Sequence, residues 1–321
     1  MTAYIIRRLL FLIPLLLIMS FIGFVCINLA PGNYFDILKQ NPQISEETIK
    51  LYEQNYHLDK NVFIQYYYWL VNIFKLDFGY SFAYKRPVLT VLKSRLFNTF
   101  ILSLSAFLFS WFIALPIGIY CAVRQYKLSD KILSFLSFIG MSIPNFFLAM
   151  ILLFFASKSG FLPTGGMRSF NYQELPGFMR FFDLIKHLII PTLVLGASSI
   201  AGLQRLMRGN MLEVLRQQYI VTARAKGLSE NRVIYLHAVR NAINPMVTIF
   251  GGALSGLLSG AALTEIICSW PGLGSLMLEA VRTQDLYLFA GDLLMTGFLL
   301  ILGYIVSDML LAWVDPRIQC Q

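Results

Sequence analysis

The chain has 321 residues, of which 57% are hydrophobic and only 13% charged, with a formal net charge of +9. A soluble domain of this length holds about 45–50% apolar and about 25% charged residues, so a water-soluble globule is excluded and an integral membrane protein is expected. The four cysteines (Cys26, Cys121, Cys268, Cys320) form no CxxC pair and read as small hydrophobes, and with three scattered histidines there is no metal cluster at ligand spacing.

A membrane span needs about 20 mostly apolar residues. The segments 9–29, 98–122, 131–157, 187–207, 242–266 and 287–314 qualify, which predicts an all-α protein with six transmembrane helices. The first follows Arg7 and Arg8 as a signal peptide would, but its 21 residues exceed the 7–15 of a cleaved apolar region, so an uncleaved span is expected. Pro144 and Pro191 interrupt the third and fourth spans, which is tolerable where neighbouring groups satisfy the freed carbonyl.

Between the first two spans, residues 31–97 predict a small extracytoplasmic subdomain. Within it, Ser45 to Tyr56 reads as a helix capped by Ser45, with Glu46 and Glu47 at its positive end. The aromatic run Phe63–Phe82 suits the membrane interface. A second outside loop, Ser157–Lys186, is rich in Gly, Pro and Phe. The domain reading is therefore a first span in 1–30, the subdomain 31–97, and a five-span core over 98–321.

Lys and Arg in the loops set the orientation. With both termini inside, the inside segments carry thirteen basic residues against four acids (Asp130, Glu213, Glu230, Asp315), and everything else balances to zero. The basic excess also suits contact with anionic lipid, and nothing calls for nucleic acid.

Arg208–Arg224 reads as one amphipathic helix, with Met211, Leu212, Leu215 and Tyr219 near helical spacing. Gly227 ends it, since glycine accepts the left-handed conformation of a helix C′ position. Ser229 then caps a second, short helix opening with Glu230. This cytoplasmic loop, 208–241, reads either as a basic element resting on lipid or as a rigid docking element for a soluble partner.

In span five, Gly252, Gly256 and Gly260 recur every four residues and so share one helix face. Two overlapping GxxxG units allow close helix approach. They serve packing within the chain, a subunit interface or a pore lining. Glu265, Asp292 and Asp308 sit near span ends as structural partners, or form a proton relay. Ser255 and Ser259 lack a base in reach, so a serine hydrolase is not supported. No GxxxxGK[ST] loop occurs, so any ATP must be bound by another chain.

The loop residues Ala223, Ala225, Gly227, His237, Arg240, Asn241 and Pro245 resemble the signature loop of permease subunits of binding-protein-dependent ABC importers, which implies an ATPase-coupling loop that also includes Arg224, Lys226, Leu228 and Ser229. The branch is that of dipeptide, oligopeptide and nickel systems, B-type subunit. Along the rest of the chain, Ala30-Pro31-Gly32, Leu58-Asp59-Lys60, Asp77-Phe78-Gly79-Tyr80-Ser81, Ser142-Ile143-Pro144, Leu162-Pro163-Thr164-Gly165-Gly166, Trp270-Pro271-Gly272-Leu273-Gly274 and Asp315-Pro316-Arg317 follow the same pattern. Two positions depart from it. Asn33-Tyr34 stands where the family has Asp-Pro, and Val221-Thr222-Ala223 where the general loop has Glu-Ala-Ala.

The resemblance implies a multi-pass bacterial inner-membrane subunit that pairs with a second, C-type permease. It further implies two cytoplasmic ATPases that bind ATP and Mg, an extracytoplasmic binding protein, no cofactor in this chain and no enzymatic activity of its own. The rival function class is a secondary transporter or channel driven by an ion gradient.

Overall fold

The computed structural model describes residues 2–30, 58–246 and 262–314, with isolated positions 32, 34, 47, 49, 51, 54 and 249. Most of the predicted Ser45–Tyr56 helix, and most of span five with Gly252, Gly256, Gly260, Ser255 and Ser259, lie outside the described residues.

The order is α1 (Thr2–Leu29), α2 (Val62–Ile73), β1 (Tyr80–Ser81), β2 (Arg86–Pro87), α3 (Val88–Val123), α4 (Leu128–Ser142), α5 (Asn145–Ser159), α6 (Gly177–Leu215), α7 (Gln218–Ala225), α8 (Glu230–Arg232), a π-helix (Val233–Ala238), α9 (Val239–Ala242), α10 (Ala262–Ile267), α11 (Leu273–Arg282) and α12 (Leu286–Val314). Among the described residues, α1, α3, α6 and α12 are long and apolar enough to cross a membrane, and the bent pair α4–α5 can supply a fifth span.

The two prolines predicted to interrupt spans behave differently. Pro191 lies buried inside a continuous α6. Pro144 ends one helix and starts another, and α4 and α5 meet at 103°. Ile143, just before the proline, is pushed to extended geometry (φ −86°, ψ 121°), as the proline ring demands of its predecessor. The Pro144 carbonyl then accepts from Phe147 N and Leu148 N, both at 3.0 Å, and so opens α5. At about 1.5 Å per residue, the 36 residues of α3 and 39 of α6 exceed the thickness of a bilayer core, so both helices project beyond it.

The chain divides into two compact units, Met1–Thr99 with Pro271–Ile301, and Phe100–Trp270 with Leu302–Gln321. In the first, α2 lies along α1. Its Tyr66 hydroxyl donates to Leu17 O (3.0 Å) and its Trp69 ring meets Phe24. Phe63, Tyr67 and Phe74 are largely exposed, although the Phe63 ring also meets Phe21 of α1.

The hairpin pairs Tyr80 with Pro87 and Ser81 with Arg86, antiparallel. Asp285, fully buried at the head of α12, fastens it. The carboxylate accepts from Ser81 Oγ (2.7 Å), Ala83 N (3.0 Å) and Leu288 N (3.2 Å). Burial raises the Asp285 pKa, against those hydrogen bonds.

In the second unit, α6 packs against α4, α5, α10 and the segment that follows it, and α5 also meets α10. At Gly118 on α3, an added Cβ would lie 2.8 Å from Gln204 O and Met207 Cβ of α6, so the absence of a side chain there permits the approach. His187 is buried against Asp183, its Nδ1 2.8 Å from Asp183 O. Glu265 and Asp292, placed near span ends by the sequence, are both fully buried. The side chain of Asp308 lies outside the described residues.

Candidate functional site

The segment after α6 is a small folded body with its own apolar core. Met207 and Met211 on α6 meet Ile220 and Ala223 on α7, Val233, Ile234 and Ala238 on the π-helix, and Ala242 on α9. The single amphipathic helix expected over Arg208–Arg224 is not formed. Helix α6 stops at Leu215, Gln217 takes extended geometry (φ −72°, ψ 147°), and α7 sets off anew. The reason is burial. In one continuous helix, Tyr219 would share the buried stripe of Met211, yet Tyr219 is exposed. Breaking the chain lets Ile220 and Ala223 turn back onto the methionines, and burying each such side chain is worth about 1.5–3 kcal/mol for the larger ones.

Gly227 ends α7 in the conformation expected of it, with φ +76°. The turn is a Schellman motif. Leu228 N donates to Ala223 O (3.4 Å) and Gly227 N to Arg224 O (2.9 Å). Nothing lies within 4 Å of where a Gly227 Cβ would stand. Glycine is therefore required by the backbone here and not by any neighbour among the described residues. Ser229 occupies the next N-cap as expected, but its side chain makes no capping hydrogen bond. The clamp across the turn is instead Arg224 to Glu230, with Nη2–Oε1 at 2.7 Å and Nε–Oε2 at 3.2 Å. Arg224 holds the Glu230 carboxyl below its ordinary pKa, and Glu230 raises that of Arg224.

The predicted site residues are thus brought together at one turn and its sequel. Arg224, Ala225, Lys226, Gly227 and Ser229 are exposed, Leu228 is half-buried and Ala223 is buried. The π-helix, a wide turn often found at functional positions, ends at His237 and Ala238 and leaves Tyr235 and Leu236 exposed. Asn241 Nδ2 donates to His237 O (2.9 Å), and Arg240 stays exposed. Asn210 on α6 donates to Ala242 O (3.2 Å), pinning the far end of the body to the helix.

One anchor was not singled out from the sequence. Asp130, at 2% exposure, receives Arg208 Nε on Oδ1 and Arg208 Nη2 on Oδ2, each at 2.8 Å. Tyr126 N (3.0 Å) and Ser134 Oγ (3.3 Å) complete its shell. The pair ties the start of α4 to α6 at the point where the small body begins. The available signal was a single acid within a stretch containing Arg124, Lys127 and Lys131.

Two family models match the chain. One describes the binding-protein-dependent transport system inner membrane component, over residues 114–319, and the other the N-terminal part of the same membrane component, over residues 1–105. Among curated proteins, the chain is 39% identical to the oligopeptide transport system permease protein AppB of Bacillus subtilis (strain 168), over 99% of this chain and all of the relative. It is 34% identical to the dipeptide transport system permease protein DppB of Alkalihalophilus pseudofirmus, with the same coverage of both chains. It is 32% identical to the glutathione transport system permease protein GsiC of Salmonella choleraesuis, over 99% of each. Among solved structures, it resembles a chain of the MetNI methionine ABC transporter in an inward-facing conformation. The TM-score is 0.54 at 16% identity, covering 71% of this chain and 97% of that one, which is a likeness of fold.

Proposed function

The chain belongs to the family of inner membrane components of binding-protein-dependent transport systems, and we propose that its segment from Tyr219 to Pro245 is where ATP-driven motion enters it. The protein is a permease subunit of an ABC importer for peptides. It sits in a membrane, which we take to be the bacterial inner membrane, with six spans and both termini in the cytoplasm. A second permease completes the pore, two ATPases bind ATP and Mg on the cytoplasmic side, and a binding protein delivers peptide outside.

The observation that carries the coupling role is the exposed Schellman turn at Gly227 on a body rooted in α6. A lever needs a stiff contact surface and a stiff connection. The Arg224–Glu230 clamp and the backbone turn stiffen the surface. The apolar core around Met207 and Met211, with Asn210 pinning Ala242, makes the connection. ATPase closure then shifts the population between outward- and inward-open states through the differential contact it makes with this surface.

The test is reconstitution of the chain with its second permease, ATPases and binding protein into proteoliposomes. Peptide uptake should require ATP inside the ATPase-facing compartment. Uptake driven by an ion gradient with no ATPase present would overturn the reading.

A further inference from the structure

The apolar stretches that mark α1 and α12 as spans run over Leu12–Leu29 and Leu286–Val306. The two helices pack antiparallel, Gly23 against Leu293 and Met19 against Gly297, with no room for a side chain at either glycine. At about 1.5 Å per residue, Gly23 lies about 9 Å in from Leu29, and Leu293 about 10–11 Å in from Leu286. Met19 and Gly297 lie about 15–17 Å in by the same measure. The two helices thus agree on the level of each contact, so distance along α1 measures depth in the hydrocarbon layer. A tilt of about 20° would shorten these depths by only about 6%.

Helix α2 meets α1 inside that layer. The Tyr66 ring lies 5.2 Å from that of Phe21 and 5.6 Å from that of Phe24, and Trp69 lies 5.8 Å from Phe24. The Tyr66 hydroxyl reaches Ser20 Oγ (2.9 Å) and Leu17 O (3.0 Å). Leu17 is about 18 Å in from Leu29, near the middle of a core about 30 Å thick. At that depth a polar atom must be satisfied within the protein, and this hydroxyl is. The 12 residues of α2 carry no charge, and at about 18 Å the helix is too short to cross. Asp59 and Lys60 precede it and Lys75 and Asp77 follow, so the chain enters and leaves the layer on one side.

We propose that α2 is sunk into the leaflet at the C-terminal end of α1 and turns its outer face to lipid acyl chains. This placement depends on α1 and α12 being spans, and on neither their orientation nor the transported substrate. With both termini in the cytoplasm it is the outer leaflet. Phe63 and Tyr67 are 67% and 62% exposed, and Ile64 and Tyr68 beside them are exposed as well. Their spacing puts all four on one side of the helix. The Phe63 ring, 5.8 Å from that of Phe21, carries this face onto α1, where Ile18 and Ile22 are exposed in turn. The two helices therefore present one continuous apolar surface. Helix contacts within a membrane favour small residues that let backbones approach. All four residues here are bulky, and tyrosine favours the membrane boundary. Phe78 and Phe82, further along the same aromatic run, are buried in protein, so lipid contact ends before them.

The test uses the chain assembled with its second permease, ATPases and binding protein in vesicles of phosphatidylethanolamine and phosphatidylglycerol. Tyr67→p-benzoylphenylalanine replaces one exposed aromatic ring with another, so folding is retained. Illumination should join one phospholipid to residue 67, in a yield within about threefold of that from Ile18→p-benzoylphenylalanine on the span itself. Fragmentation of the adduct should place the new bond on an acyl chain. A bond from residue 67 to another protein chain would make the face a subunit or binding-protein interface and overturn the proposal. Absence of any adduct at residue 67 would put the face in water, with the same consequence. A bond to the headgroup or glycerol alone would leave α2 on the membrane surface and overturn its depth.

Discussion

Asp130 and Arg208, 78 residues apart in the chain, meet through two parallel hydrogen bonds of 2.8 Å, and the carboxylate is almost wholly buried. Paired guanidinium and carboxylate groups of this geometry give position as well as energy. The position fixed is the root of the small body that follows α6, where α4, α6 and that body converge.

Removing one partner leaves the other charge uncompensated. For a fully buried pair that costs about 3–5 kcal/mol. Arg208 is 26% exposed, so a smaller loss of about 2–3 kcal/mol is expected for Asp130→Ala. Thermal unfolding should show a melting temperature lower by about 3–4 °C. Arg208→Lys should not recover it, because an ammonium cannot make the two-point contact. A melting temperature within a degree of the native chain in both variants would remove the pair from the account.

Gly227 separates backbone strain from docking. Asn tolerates the left-handed region better than Ala, so Gly227→Asn should keep native melting while Gly227→Ala loses about 1 kcal/mol. Gly227→Asp should fold and assemble, since among the described residues nothing stands within 4 Å of the new Cβ. Yet it places bulk and negative charge on the proposed ATPase contact, and peptide uptake should fall to background. Normal uptake by correctly assembled Gly227→Asp would falsify the docking role.

The Arg224–Glu230 clamp is exposed at both ends and so is worth under about 1 kcal/mol. Glu230 has its folded pKa lowered from an ordinary 4.5. Its contribution is therefore fully present above that ordinary value and is lost as pH falls through the lower, folded value. A double-mutant cycle with Arg224→Ala and Glu230→Ala should give a small favourable coupling at pH 7 that fades as the pH falls below the ordinary 4.5 of a glutamate, and in molar salt. Coupling that persists at low pH would contradict the assignment.

Asp285 has the opposite sign. Its folded pKa is raised by burial, so this group alone favours the folded state increasingly as pH drops through that value. Asp285→Ala removes the acceptor of Ser81 Oγ and Ala83 N. Each unmade buried donor costs about 1–3 kcal/mol, and the hairpin 80–87 should become a preferred site of limited proteolysis. Asp285→Asn, which keeps an acceptor oxygen, should protect it at least in part. Equal cleavage of Asp285→Ala and the native chain would show that the hairpin is held by other contacts.

Much of the fold was legible in the chain because membrane helices are set by local chemistry. A run of apolar residues long enough for the bilayer must satisfy its own backbone, and α1, α3, the α4–α5 pair, α6 and α12 all follow such runs. Gly227 was legible for a similar reason: the sign of φ at a helix end is a one-residue preference. The break at Gln217 was not, since no Gly or Pro marks it. It exists because Ile220 and Ala223 find Met207 and Met211 on the far side of the turn. Ser229 takes the N-cap position without the capping bond, and the side-chain contact across this turn is Arg224 with Glu230.

By itself the sequence determined the membrane class, the apolar spans, the basic loop between two of them, and the glycine on which that loop turns. Each depends on composition or on neighbours a few residues apart. Only the tertiary structure decided that Pro144 breaks its helix while Pro191 does not, that Asp130 seeks out Arg208, and that the segment after α6 folds back into a compact body. These depend on which side chains arrive from elsewhere to fill space and share charge, and local periodicity carries no record of them.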